Sequence, residues 1–117
     1  MPSDKLTDWV RDIVEAIGKI RQWTEQEGGV TQVLRPGSMS CSAVERQLLI
    51  VSEAAIRIHH AESTYLAEKA PEIDWPGVRG IGNFIRHRYN KMDFDLVEQV
   101  LETYLDPLEA ACLRLLA

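Results

Sequence analysis

The sequence predicts an all-α fold, most simply an up-down four-helix bundle with a short C-terminal helical extension. Apolar residues recur at spacings of three and four along several long segments, as they do on one face of an α-helix. No segment shows the period-two alternation that a half-buried strand would have. Because the chain has 117 residues, we expect one helical domain that covers residues 1–117.

The first predicted helix begins after Ser3 and ends at Gly28-Gly29. Ser3 suits the N-cap, and Asp4 lies in the first turn, where the helix dipole favours an acid. Paired glycines commonly end a helix. The apolar stripe comprises Leu6, Trp9, Val10, Ile13, Val14, Ile17, Ile20 and Trp23. Residues 30–41, broken by Pro36-Gly37, are predicted to form a linker.

A long second helix is predicted from about residue 43 to about residue 67. Ser42-Ala-Val-Glu45 matches a capping box, in which a serine caps the helix and an acid follows three positions later. Pro71 sets the far limit of this helix. Its apolar stripe comprises Val44, Leu48, Val51, Ala55 and Ile58, with Leu49 and Ile56 beside it. A helix this long suggests that one face packs inside the domain and another contacts a partner.

The third predicted helix starts at Asp74-Trp75-Pro76, because proline suits the first helical turn. Its apolar positions are Val78, Ile81, Phe84, Ile85 and Tyr89. Gly80 and Gly82 lie within it and indicate close packing against another backbone.

A fourth helix is predicted with Asp93 or Asp95 as its cap, and a short last helix after Asp106-Pro107. The apolar side of the fourth helix comprises Leu96, Val97, Val100, Leu101, Tyr104 and Leu105, and that of the last comprises Leu108, Cys112, Leu115 and Leu116.

No metal site and no cofactor are predicted. Cys41 and Cys112 form no CxxC pair and have no histidine at ligand spacing, so both are expected to be small buried hydrophobic residues. His59 and His60 are adjacent, and adjacent side chains on a helix diverge by about 100°, which suits one metal ion poorly. We expect these two histidines to face solvent or a partner.

Charge is distributed unevenly along an acidic chain of net charge -5. Residues 79–91 hold four basic side chains (Arg79, Arg86, Arg88 and Lys91) and no acid, which leaves nine basic and eighteen acidic residues elsewhere. Global acidity argues against sequence-independent binding of DNA or RNA, but a local cationic patch can hold a phosphate. No apolar run is long enough to span a membrane, and the N-terminal segment lacks a signal-peptide pattern, so a cytoplasmic protein is expected.

The basic stretch GNFIRHRYN, residues 82–90, carries the candidate catalytic residues Asn83, Arg86, His87 and Tyr89. Histidine can transfer a proton near neutral pH, and a guanidinium can hold the charge that develops on a phosphate. The combination suits RNA cleavage by the internal 2′-hydroxyl, and neither role requires a metal. The alternative is a solvated helix face on which Tyr89 serves as a core or interface aromatic.

Three segments carry a resemblance to a known family. They are AVERQLLIVSEAAIRI (residues 43–58), WPGVRGIGNFIRHRYNKMD (residues 75–93) and LDPLEAAC (residues 105–112). Together they resemble the HepT-like members of the HEPN family, which are small helical ribonuclease toxins paired with minimal nucleotidyltransferase antitoxins. The family motif is an arginine, four residues, a histidine, any residue and a tyrosine.

His87 and Tyr89 match that motif, but Gly82 stands at the arginine position. Asn83 matches the polar residue that commonly follows the family's arginine. The resemblance therefore implies His87 for proton transfer and Arg86, or else Arg79, as the phosphate-holding guanidinium. Arg79, Arg88 and Lys91 are the expected substrate-binding residues.

The resemblance also implies an activity and its regulation. It implies a metal-independent endoribonuclease that leaves a cyclic phosphate and acts as the toxin of a type VII-like toxin–antitoxin pair. The antitoxin nucleotidyltransferase would silence it by transferring AMP to Tyr89. The expected assembly is a homodimer, or a higher oligomer, in which two active-site helices face each other; no membrane partner is expected.

Two alternatives remain open on the sequence alone. Gly82 favours a catalytically weak or inactive helical dimer that binds a nucleotidyltransferase. The other alternative is a purely structural dimer, in which Arg86, His87 and Tyr89 matter only for stability.

Overall fold

The computed structural model describes residues 4–87 and 91–117, with side chains described outside residues 91–93. The described residues form helices and the turns between them, which confirms the all-α prediction. The helices are α1 (Asp4–Glu27), α2 (Val30–Val33), α3 (Met39–Ala61), α4 (Tyr65–Lys69), α5 (Trp75–Arg86), α6 (Lys91–Gln99) and α7 (Leu105–Leu116), with a π-helical segment, Val100–Tyr104, between α6 and α7.

Helix α3 is the centre of the bundle. It packs against α1 on one side and against α5 on another, and α1 also packs against α7. The core is apolar, and its fully buried side chains come mainly from α1 and α3: Leu6, Val10, Ile13, Ile17, Ile20, Val44, Leu48, Val51 and Ile58. The stripes at spacings of three and four therefore face one another inside the bundle.

Helix α1 ends at the paired glycines, as the sequence predicts. Gly28 and Gly29 have φ angles of 96° and 138°, a region that side chains with a Cβ rarely adopt. The Gly29 N–H donates to the Thr24 carbonyl at 2.9 Å, which satisfies a carbonyl of the last turn. Ser3, the expected cap, lies outside the described residues.

The prediction of a plain linker over residues 30–41 is wrong in part. Val30–Val33 forms the short helix α2, and Val33 and Leu34 are buried. Helix α2 contacts both α1 and α3, so its apolar residues join the core. The segment has only four helical residues, so its apolar positions do not repeat often enough to reveal a helix in the sequence.

Helix α3 differs from the prediction at both ends. Ser38, not Ser42, is the N-cap, and its Oγ accepts from the Cys41 N–H at 3.1 Å. The helix gains a turn because Cys41 is buried and continues the apolar stripe. It ends at Ala61, since a further turn would place Glu62 on the core-facing stripe four positions after Ile58.

Helices α6 and α7 are joined through the π-helical segment Val100–Tyr104. Neither Asp93 nor Asp95 is a cap, because α6 already begins at Lys91. The last helix was predicted to start after Asp106-Pro107, but α7 begins at Leu105 and includes both residues. The wider helical turn lies just before it, and Pro107 has no N–H to donate to that turn.

Two further expectations can be compared with the structure. Cys41 and Cys112 are both buried, as expected. Over the ranges given above, none of the helices combines the length and hydropathy needed to cross a bilayer.

Candidate active site

Helix α5 carries the candidate catalytic residues, and its first turn is fixed by its own sequence. The Asp74 carboxylate caps the helix by accepting from the Gly77 N–H at 3.1 Å, and Pro76 occupies the first turn. Trp75 is buried, and its indole N–H donates to the Ala70 carbonyl at 2.9 Å. The predicted cap-and-proline start is confirmed.

The inner face of α5 packs on α3 through Val78, Gly82 and Ile85, which are all buried. The Ser52 hydroxyl of α3 is buried too, and it donates to the main-chain carbonyl of Arg79 at 2.6 Å. This bond holds α5 at a fixed height along α3, opposite the middle of the longer helix.

Gly82 allows the close approach of α3 and α5. A Cβ built at this position would lie 3.0 Å from Ser52 Oγ, 3.3 Å from Ser52 Cβ and 3.4 Å from Leu49 Cδ2. The close neighbour predicted for the two glycines is found at Gly82, where it is a pair of α3 side chains and not a backbone. At Gly80 the prediction is wrong within the described chain, because a Cβ there would meet nothing within 4 Å. An arginine side chain at this position would crowd Ser52 and Leu49 of α3.

Four residues form what we call the polar stripe of α5: Arg79, Asn83, Arg86 and His87. Arg79 and Asn83 are four positions apart, and Asn83 and Arg86 are three apart, so these three share one face of the helix. Arg79 is half-buried, and the other members are exposed. The structure thus brings together three candidates that are spread over eight positions of the sequence.

His87 is the C-cap of α5 and not an interior helical residue. Its N–H donates to the Phe84 carbonyl at 3.2 Å, and its φ and ψ of -116° and 15° leave the helix. The expectation that the helix continues past His87 is wrong, because α5 ends at Arg86. Tyr89 and Arg88 lie outside the described residues, as does the side chain of Lys91.

The cations of the polar stripe have no anionic partner in the described part of the chain. Arg79 and Arg86 form no ion pair there, whereas Arg114 pairs with Glu72 at 2.6 Å and Arg21 lies 3.2 Å from Glu109. Arg86 also lies in the last turn of α5, where the helix dipole favours a cation. Over the described residues, neither stripe guanidinium is therefore neutralised by an ion pair.

A second surface of α5 is apolar and forms one wall of an open groove. The other wall comes from α6 and the π-helical segment. Leu96 and Tyr104 are 43% and 56% exposed, which is high for side chains of this size. We call this the α5–α6 groove, and its apolar lining includes Ile81, Phe84, Ile85, Leu96, Val97, Val100 and Tyr104.

A comparison with known families adds one decisive observation. The family model described as Ribonuclease HepT-like matches residues 13–115, which is nearly the whole chain. The chain belongs to the ribonuclease HepT-like family. No curated protein and no solved structure matches it.

In this HepT-like chain, the glycine that stands at the motif's arginine position is packed against a neighbouring helix. The position five before His87 faces α3, where Gly82 is packed against Ser52 and Leu49. Arg86 is exposed and adjacent to His87, and Arg79 lies on the same stripe two helical turns earlier. Over the described ranges, no three His, Cys, Asp or Glu side chains are grouped as a metal ion would require.

For this HepT-like chain, sequence reasoning assigned no role to Ser52 and expected His59 only to face solvent or a partner. Ser52 positions α5, and the only signal for it was a hydroxyl on the same helix face as Leu48 and Ala55. His59, expected to face solvent or a partner, is half-buried and lines a cavity that also includes Arg79. Only the tertiary structure brings His59 and Arg79 together, since twenty positions of the sequence separate them.

Proposed function

We propose that this HepT-like chain is a metal-independent endoribonuclease and the toxin of a toxin–antitoxin pair. The observation that carries the proposal is the exposed polar stripe, in which His87 adjoins a guanidinium without an anionic partner among the described residues. The site lies on one helix of an otherwise acidic chain, which would confine RNA binding to that face.

The proposed chemistry needs a proton carrier and a phosphate holder. The 2′-oxygen of one nucleotide bonds to phosphorus, and the bond from phosphorus to the 5′-oxygen of the next nucleotide breaks. A 2′,3′-cyclic phosphate and a 5′-hydroxyl result. His87 would take or supply the proton that these steps move, and a guanidinium would stabilise the charge on the phosphate oxygens.

Arg86 is our first choice for that guanidinium. It is exposed, adjoins His87 in sequence and lies at the same end of α5. Arg79 is eight positions before His87, about 12 Å along the helix axis, which is too far to share one phosphate with it. Asn83 lies between the two on the stripe and would hydrogen-bond the sugar or the phosphate.

The α5–α6 groove supports a homodimer in which α5 of each subunit faces the other. Ile81 and Phe84 of α5 lie in this groove beside the exposed Leu96 and Tyr104. Covering these side chains would remove apolar surface from water. His87 would then lie at the margin of the interface, so that two stripes could border one RNA cleft.

We further propose that AMP transfer to Tyr89 silences the toxin in the cytoplasm. The tyrosine hydroxyl would displace pyrophosphate from ATP under catalysis by a nucleotidyltransferase antitoxin. The product would place a bulky, negatively charged group two residues from His87, where it would repel and block the RNA phosphate.

A second candidate function is a catalytically inactive docking partner of that nucleotidyltransferase. Gly82 favours it, because the motif arginine is missing and its position is closely packed against Ser52. Under this alternative Tyr89 is presented for modification without any RNA cleavage.

Cleavage of 5′-labelled single-stranded RNA by the purified chain separates the two candidates. We expect His87→Ala to abolish cleavage and Arg86→Ala to reduce it by about a hundredfold or more, as loss of one charge-stabilising donor does. Arg11→Ala is the matched control, since Arg11 is an exposed arginine on α1 whose ion pair with Asp8 is exposed. Equal cleavage by the wild type and His87→Ala, with both folded, would exclude the catalytic assignment.

Expression in cells tests the proposed silencing of the toxin by AMP transfer to Tyr89. We expect growth inhibition by the chain alone, and relief when a nucleotidyltransferase is co-expressed. The relief should depend on Tyr89 and disappear in Tyr89→Phe. Growth that is unaffected by the chain alone would favour the docking partner.

A further inference from the structure

A cavity of about 340 Å³ lies at the far end of the polar stripe, between the C-terminal end of α3, helix α4 and the first turns of α5. We call it the α4 cavity. Its volume is near the lower end of the range for small-ligand sites, about 300–1,000 Å³. Its walls are mainly apolar and are formed by Leu66, Ala67, Pro71, Ile73, Trp75 and Pro76. A flat, uncharged ring system would fit such walls.

Four polar residues complete the lining of the α4 cavity, and they differ in charge. Arg79 and His59 offer donors, Ser63 offers a hydroxyl, and Glu62 offers a carboxylate. Arg79 has no anionic partner in the described part of the chain, so the carboxylate of Glu62 does not neutralise it by direct pairing. A ligand with an apolar ring, an anionic group and a hydrogen-bond donor on the ring edge would match all of these features.

The walls of the α4 cavity are held in place by contacts behind them. The Trp75 indole N–H donates to the Ala70 carbonyl at 2.9 Å, and the Ala70 N–H donates to the Leu66 carbonyl at 2.8 Å. Arg114 of α7 donates to the Glu72 carboxylate at 2.6 Å, which ties the loop before α5 to the bundle. A cavity that is formed before the ligand arrives loses less entropy on binding.

Arg79 belongs both to the α4 cavity and to the polar stripe, which makes the two continuous. Pro76 and Arg79 are three positions apart on α5, and both line the cavity. From Arg79 the stripe continues through Asn83 to His87, about 12 Å further along the helix axis. A chain that binds along the stripe with its backbone near Arg79 could therefore insert a side group into the cavity.

We propose that the α4 cavity binds one nucleotide of a single-stranded RNA, with the base inside the cavity and its phosphate on Arg79. The inference rests on the proposed function in one respect, which is that the nucleotide belongs to an RNA substrate. An unpaired base of a single strand can leave its stack to enter such a site at the lowest cost in free energy. Glu62 can accept from an exocyclic amino group, so adenine, guanine and cytosine bind more tightly than uracil.

Binding of mononucleotides tests the site without any need for cleavage. In an amide NMR titration of the full chain with 5′-AMP, we expect the shifts to centre on Leu66, Ile73 and Arg79. Arg79→Ala should weaken 5′-AMP by about tenfold but adenosine very little, because only the nucleotide carries the phosphate. Ala67→Trp should fill the cavity and weaken both ligands by about tenfold.

Ala110→Trp is the matched control for Ala67→Trp. Ala110 is also an exposed helical alanine, but it lies on α7 and does not line the cavity. It should bind both ligands as the wild type does. The site is disproved if the wild type shows no localised shifts with millimolar 5′-AMP, or if Ala67→Trp binds as tightly as Ala110→Trp. Equal affinity for 5′-UMP and 5′-AMP would disprove the role of Glu62.

Longer RNA distinguishes a subsite for RNA from a site for a free nucleotide. An unlabelled single-stranded oligonucleotide should displace a fluorescent AMP analogue from the wild type, and failure to displace it would overturn the RNA assignment. The ratio of kcat/KM for an oligonucleotide to that for a dinucleotide should fall about tenfold in Ala67→Trp. A chain that binds 5′-AMP in competition with RNA but cleaves nothing refutes the proposed function alone, whereas cleavage without nucleotide binding refutes this inference alone.

Discussion

Ser52 of α3 donates its buried hydroxyl to the main-chain carbonyl of Arg79 on α5, across a distance of 2.6 Å. The same serine is the nearest neighbour of Gly82 one turn further along α5. One small polar side chain therefore contacts α5 at two points, one of which bears on the position of α5 along α3 and the other on the separation of the two helices. Because Arg79, Asn83, Arg86 and His87 are all on α5 or at its end, their position relative to the bundle depends on this contact.

We expect Ser52→Ala to lower the free energy of unfolding by about 1 kcal/mol, the usual net value of one intramolecular hydrogen bond. Ser42→Ala is the control, because Ser42 is an exposed serine of the same helix and its effect should stay within about 0.5 kcal/mol. Urea unfolding followed by circular dichroism measures both. Equal stability of the two variants would mean that the hydroxyl of Ser52 contributes nothing.

A pair of glycine substitutions tests the close approach at Gly82. Gly18→Ala should raise the free energy of unfolding by about 1 kcal/mol, because Gly18 is exposed in α1 and its Cβ would meet nothing within 4 Å. Gly82→Ala should not raise the free energy of unfolding in this way, because its Cβ would lie only 3.0 Å from Ser52 Oγ. Gly82→Arg, which restores the family motif, should destabilise by about 1–3 kcal/mol through overpacking.

The same unfolding experiment decides whether the motif could be restored at Gly82. A Gly82→Arg chain as stable as the wild type would show that α3 yields easily to a large side chain. The tight packing would then fail as the reason for the glycine.

Much of the fold could be predicted from the sequence, because the long stripes of α1 and α3 repeat their apolar residues over many turns. The end of α1 was equally predictable, since Gly28-Gly29 can adopt angles that other residues avoid. The start of α3 was not, because two serines four positions apart, Ser38 and Ser42, both suit a cap. Only the burial of Cys41 decides between them, and burial depends on the neighbouring helices.

For the candidate active site, the spacing of residues along α5 could be predicted, but the packing of α5 on α3 could not. Asn83, Arg86 and Arg79 share a helix face, which follows from their spacing alone. The burial of Gly82 against Ser52 could not be predicted, because it depends on how α3 and α5 cross. The cavity that His59 and Arg79 line depends on the same crossing and on the turn after α3.

Capping of α3 gives a direct test of the corrected helix start. Ser38→Ala should lower the free energy of unfolding by about 1 kcal/mol, since the Cys41 N–H loses its acceptor. Ser42→Ala should change it by less than about half that amount, because the helix already begins before it. The opposite order, measured by thermal unfolding, would restore the capping box at Ser42.

The contact between Glu72 and Arg114 should make stability depend on pH. The pKa of Glu72 is lowered from its ordinary value of 4.5, first by a hydrogen bond from its own main-chain N–H and then by the Arg114 guanidinium. A carboxyl with a lowered folded-state pKa stabilises the fold at pH values above its unfolded-state pKa. This contribution is lost as the pH falls through the folded-state pKa.

The wild type should therefore be more stable than Glu72→Gln at about pH 7, and the difference should shrink as the pH falls through the folded-state pKa of Glu72. Melting temperatures of both chains across this range provide the measurement. Glu68→Gln is the control, because Glu68 is an exposed acid of the neighbouring helix α4. A difference that does not shrink as the pH falls would show that the charge of Glu72 is not its source.

The proposed dimer predicts that a charge in the α5–α6 groove separates the subunits. Leu96 is 43% exposed, so Leu96→Glu should leave the single chain folded but should prevent the groove from being covered. Leu113→Glu is the matched control, since Leu113 is 50% exposed on α7 and does not line the groove. Light scattering after size exclusion should give twice the mass of one chain for the wild type and Leu113→Glu, and the mass of one chain for Leu96→Glu. If Leu113→Glu dissociates and Leu96→Glu does not, the interface lies on α7 and the two polar stripes do not face each other.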